Sequence, residues 1–171
     1  MEGVIPNIDE LFRNLRHQVD LYKRLIDVLR DERQHIVTFK CRELRDATFS
    51  KEAIIDEIQR EESRRTKWMQ DAAKVLSVEV KDVTLEMIAG KFAREHYEPL
   101  ITLKNLLLML LKKTKEFNED NRALVEMALK DTQEMKKNIL GMTTEKPQVY
   151  GPKGSMGQGR ETTSRILNKE A

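Results

Sequence analysis

Residues 100–140, LITLKNLLLMLLKKTKEFNEDNRALVEMALKDTQEMKKNIL, decide the fold. Within them Leu103, Leu107, Leu110, Thr114, Phe117, Asn121, Leu124, Ala128 and Met135 follow the alternating four–three spacing of a packed helical seam. No Gly or Pro interrupts the run, and Gly141 follows it as a helix stop signal. At roughly 1.5 Å per residue such a helix extends about 60 Å. A small bundle needs less than that to bury its own seam, so part of the apolar face is left for a partner.

Upstream, Pro99 suits a first helical turn, and Thr84 can cap a third helix over residues 85–96. Residues 78–83 read as a short connection. A second helix carries Leu44, Ala47, Ile54, Ile58, Trp68, Ala72 and Val75 at helical spacing. Residues 59–67 within it hold no apolar side chain, so they form a solvated or polar-layer section, with Glu61 and Arg65 set for an i,i+4 pair. The first helix starts at Asn7, a capping residue with Glu10 three positions later. Ile8, Leu15, Tyr22, Leu29 and Ile36 recur every seven residues, and Leu11, Phe12, Val19, Leu25 and Ile26 widen the stripe to bundle width. Two places fit the turn between these helices. Residues 38–41 follow a Val-Thr-Phe stretch of weak helix propensity. A turn at residues 46–50 would instead set polar residues 30–35 against polar residues 59–67.

The expected fold is all-α: an antiparallel bundle of long helices over residues 7–140, with a long fourth helix. Residues 141–171 read as a flexible tail, because their composition shifts to Gly, Pro, Thr and Lys with too little apolar surface to offset the ordering entropy. A short terminal helix presenting Ile166 and Leu167 is the one element expected there.

Composition narrows the function. Charged residues make up 35 % of the chain but the net charge is only +2, which gives no basic face for nucleic acid. The N-terminus lacks the apolar stretch of a secretory signal, and the most apolar run, residues 100–111, is too short to cross a bilayer, so no membrane insertion is expected. A lone cysteine, Cys41, supplies neither an internal disulfide nor a metal spacing, and reads as a small buried or half-buried helix residue. The chain is read as cytosolic.

Three stretches imitate chemistry. Glu32-x-x-His35 has the spacing of a di-iron carboxylate helix, but neither His17 nor His96 has a Glu three residues before it, so Glu32 reads as part of a charged surface turn. Gly154-Ser155-Met156-Gly157-Gln158-Gly159 resembles a phosphate loop, yet Arg160-Glu161 follows where Lys and Ser or Thr are required. Cys41 has no activating histidine or basic cluster. Trp68 reads as core. Asn121 interrupts the best seam, where a polar residue fixes register or bonds to the backbone of a partner.

Taken in order, these features resemble the flagellar export chaperones of the FlgN type over nearly the whole length. The likeness is carried by Leu25, Leu29 and Glu32-Arg33 leading into Ile36, by Leu44 and residues 61–65, and by Thr84-Leu85. Asn118-x-x-Asn121-x-x-Leu124 with Ala128-Leu129 continues it, and Tyr150-Gly151-Pro152-Lys153-Gly154 closes it. The connection at Phe39-Lys40 departs from it, lacking small or acidic turn residues. The resemblance implies a non-enzymatic cytosolic chaperone with no nucleotide, metal or other cofactor. It would bind the helical termini of flagellar hook-associated proteins, prevent their premature pairing and deliver them to the export gate. Its cargo candidates are Asn118, Asn121, Leu124, Met127, Met135, Ile139 and Leu140, the apolar ones at helix-in-groove spacing. Tyr150 matches the family's position for docking on the cytosolic domain of the gate. A generic helical adaptor and a helical-bundle enzyme are the other classes weighed. The adaptor leaves Val149-Tyr150 unexplained, and the enzyme lacks its second Glu-x-x-His. Oligomeric state and the preferred hook-associated protein are not encoded in any motif.

Overall fold

The computed structural model of the chain describes residues 7–92, 95 and 97–141. Their regular structure is helical, with no strand among them: α1 (Ile8–Val37), α2 (Cys41–Leu76), a 3-10 turn (Val80–Asp82), α3 (Leu85–Phe92) and α4 (Tyr97–Ile139). The chain falls into two compact units, Met1–Ala128 and Leu129–Ala171.

In the first unit, α1 begins where Asn7 Oδ1 accepts the Asp9 amide at 2.9 Å. That bond satisfies one of the orphan donors of the first turn. The helix ends in a Schellman turn. The Thr38 amide donates to Gln34 O, and the Lys40 amide reaches back to His35 O at 3.0 Å. Phe39 stands between them at φ 54, a left-handed position that costs a residue with a side chain about 1 kcal/mol. Of the two turns the sequence permits, the chain therefore uses the one at residues 38–40. Cys41 becomes the first residue of α2 and is exposed, which corrects the expectation that it is buried or half-buried.

Packing follows the stripes. Near the start of α1, Leu11, Phe12 and Leu15 meet Trp68, Met69, Ala72 and Ala73 of α2, with Ile88 and Ala89 of α3 and Leu100 of α4 closing the cluster. Trp68 is core, as its spacing suggests, and its Nε1 donates to Asn7 O at 3.0 Å. Farther along, Leu21, Leu25 and Leu29 bury against Ile54, while Val19 and Ile26 pack on Leu110. α1 is thus antiparallel to α2 and parallel to the first-unit part of α4. Each fully buried leucine contributes roughly 2 kcal/mol relative to exposure.

The polar section of α2 is half layer, half surface. Glu61 is buried and accepts Asn14 Nδ2 at 2.7 Å. It also pairs with Arg64 at 2.6 Å, while Arg65 pairs with Glu62. These two i,i+3 pairs replace the expected Glu61–Arg65 bridge, because the Glu61 carboxylate turns inward to α1. Thr84 caps α3 by accepting the Met87 amide at 3.2 Å. The helix covers Leu85–Phe92, and residues 93, 94 and 96 of the expected span lie outside the described residues. α4 opens at Tyr97 with Pro99 in its first turn, where its missing N–H has no helical acceptor in any case.

In the second unit, residues 129–139 are helical, and Gly141 at φ 66 terminates the element as anticipated. The tail reading for residues 142–171, its terminal helix and Tyr150 lie outside the described residues.

Candidate cargo-binding surface

The inward side of α4 is filled within the first unit. Leu100, Leu110 and Asn121 are buried, and Leu103, Leu107 and Phe117 pack partly buried against the cores that α1 builds. Its other sides carry Leu108, Met109, Leu111, Val125 and Met127, all exposed. In the second unit every described residue is exposed, including Leu129, Met135, Ile139 and Leu140, which range from 57 % to 76 %. An exposed leucine alone needs no explanation, but several large apolar side chains on one helix constitute a surface suited to a partner. Lys136 and Lys137 in the last turn complement the helix dipole and help hold this segment helical.

The sequence-derived candidates separate on this geometry. Asn118, Met127, Met135, Ile139 and Leu140 are exposed, and Leu124 is half-buried. Asn121 is 2 % exposed. Its Nδ2 donates to Leu29 O at 2.8 Å and to Glu32 Oε2 at 3.0 Å. That amide is engaged within the first unit, so it faces α1 and not the surface.

Glu32 is the residue that sequence reading misplaced. It is 7 % exposed, and Lys51 of α2 reaches its Oε1 at 2.5 Å. It is a buried polar pin, not part of a surface turn. The signal was present in the spacing: Leu25, Leu29, Glu32 and Ile36 continue one four–three seam. His35 Nδ1 and Asn121 Oδ1 are buried with no hydrogen-bond partner among the described residues. Among the described residues no three of His, Cys, Asp and Glu gather as a metal site, and no helix is long and apolar enough to cross a membrane. A groove of about 970 Å³ between α1 and α2, lined by Asn14, His17, Glu61, Arg64 and Trp68 among others, was not foreseen either. Its mixture of both charge signs offers no arrangement of nucleophile and base.

What this geometry presents among the described residues is a helix with exposed apolar side chains, and a first unit whose polar interior is structural. The family model described as FlgN protein matches residues 1–158. The chain belongs to the FlgN family. This is a family of flagellar export chaperones, not of enzymes. No curated protein and no solved structure matches the chain. As an FlgN-family chain with an all-helical bundle, it takes its role in flagellar biogenesis and its general kind of partner, flagellar proteins, from that membership.

Proposed function

We propose that this FlgN-family chain holds the helical termini of flagellar hook-associated proteins in the cytoplasm, keeps them from pairing early, and delivers them to the export gate. One observation carries the cargo reading: the exposed apolar side chains of α4, of which Leu129, Met135, Ile139 and Leu140 belong to a unit whose described residues bury nothing. An amphipathic helix binds another helix through anchors three and four residues apart, and methionine adapts to more than one partner. Met127, exposed in the first unit, extends the set of anchors. Asn118 is available as a polar contact, whereas Asn121 acts as a register pin.

Family membership supports this reading. Delivery rests on Tyr150, an aromatic in a polar segment, as the anchor for the cytosolic domain of the gate. The test is calorimetric titration of purified hook-associated proteins into the wild type and a Met135→Asp/Ile139→Asp variant. Weakened binding with unchanged helical content is expected. Unchanged affinity would move the cargo site off this segment.

A further inference from the structure

The exposed apolar candidates on α4 are leucine, isoleucine and methionine, and among these only methionine carries an atom that a mild oxidant attacks. Met127 in the first unit is exposed to 62 %, and Met135 in the second to 65 %. Met69 lies in the core of the first unit with Leu11, Trp68 and Ala72, and only 8 % of it reaches solvent. Exposure decides which thioethers react first. The fold therefore sorts these sulfurs into accessible ones on the proposed cargo surface and a protected one inside.

We propose that Met127 and Met135 are modification sites for hydrogen peroxide, and that their sulfoxides close α4 to cargo. The inference rests on the cargo reading above. At each residue the thioether sulfur attacks one oxygen of the peroxide. An S–O bond forms as the O–O bond breaks, and the other oxygen leaves as water. Sulfur gives up two electrons and the peroxide takes them. A dithiol reductant reverses the change, returning two electrons and two protons, releasing the oxygen as water and ending as a disulfide.

The product is a polar, chiral group where an adaptable apolar one stood. When a partner's apolar side chains cover it, the sulfoxide oxygen loses water and gains no donor, so the contact turns from favourable to costly. The bundle itself is spared, because neither side chain is buried. Cargo already seated on these residues shields the sulfurs, so oxidation acts on the empty chaperone and governs loading.

The test treats the full chain with hydrogen peroxide, removes the oxidant by desalting and maps sulfoxides by peptide mass spectrometry. A purified hook-associated protein is then titrated into treated and untreated chain by calorimetry. Sulfoxide is expected at Met127 and Met135 with Met69 intact, an unchanged melting temperature, and affinity lowered at least about tenfold. Methionine sulfoxide reductases for both epimers, supplied with dithiothreitol, should restore it. Met127→Leu with Met135→Leu should bind like untreated wild type and keep that affinity through peroxide.

Oxidised wild type that binds as tightly as untreated overturns the inference. So does a double leucine variant that loses affinity in peroxide as wild type does, which places the effect on another sulfur such as exposed Cys41. The two readings fail separately. If Met127→Asp with Met135→Asp weakens cargo binding while the sulfoxides do not, only the modification sites fall. Intact affinity in both removes the cargo reading as well.

Discussion

Asn121 on α4 and Glu32 on α1 meet inside the first unit, amide to carboxylate at 3.0 Å. Lys51 of α2 takes the other oxygen of the same carboxylate at 2.5 Å. One acidic side chain therefore joins three helices at a single level. Leucine contacts tolerate small sliding of one helix along another. A buried carboxylate does not, because losing its partners leaves a desolvated charge. The layer fixes register.

Replacing Glu32 with Ala leaves the Lys51 ammonium without this acceptor and the Asn121 amide with Leu29 O alone. The unfolding free energy should fall by about 3 kcal/mol, read from urea midpoints at constant m. Replacing all three at once, Glu32→Met, Lys51→Met and Asn121→Leu, should recover most of the loss, since no charge is then stranded. A triple variant as unstable as the single one would show that the carboxylate is not what matters.

Acidification should loosen α3 from α4 through Glu86. The Lys104 ammonium, hydrogen-bonded to its carboxyl, holds that carboxyl below the usual carboxylate range. A lowered folded-state pKa means that the stabilisation is present above the ordinary carboxylate pKa and is lost as pH falls through the depressed one. The pair is largely solvated, so the effect is small. Glu86→Gln should lose a small stabilisation at neutral pH, where the wild type holds the pair, and make stability less sensitive to pH in that acid window. Urea melts across the acid range would show the two curves converging at low pH. Parallel curves would remove Glu86 from the account.

Met127→Asp combined with Met135→Asp should weaken binding of hook-associated proteins, with helicity by circular dichroism nearly intact. Both side chains are exposed, and surface changes away from packed features alter stability by only about 0.5 kcal/mol each. Intact affinity would point to the α1–α2 hairpin as the cargo surface.

Under the proposed function, Tyr150→Ala should separate delivery from holding. Truncating an aromatic anchor costs roughly 2 kcal/mol, about thirtyfold in affinity. Gate binding and motility should fall by that order, while cargo affinity and the melting curve stay where they are. An earlier melt or lost cargo would place Tyr150 in the bundle or the cargo site.

The seam of α4, the stripe of α1 and the stop at Gly141 could be read directly, because helical periodicity is a local signal. Thr84 and Asn7 were legible as caps for the same reason. Glu32 was not, although it lies on the seam of Leu25, Leu29 and Ile36. A glutamate there becomes favourable only once Lys51 and Asn121, 19 and 89 residues away in sequence, arrive beside it. The turn at Phe39 was ambiguous because its left-handed residue is not glycine. Exposure of Met127, Met135 and Ile139 is a fact about which neighbours are missing, and periodicity alone records only that a face is apolar.

The hydrogen bond from Trp68 to the Asn7 carbonyl has an optical consequence. The chain has one tryptophan, and its indole is clamped where the end of α2 closes on the residue preceding α1. Intrinsic emission is therefore a label-free gauge of that closure, shifting to the red when the indole meets water. The turn at Phe39 lies about 40 Å along α2 from the same indole, too far to alter its surroundings directly. A single fluorophore thus distinguishes opening of one end of the hairpin from events at the other, with no engineered dye.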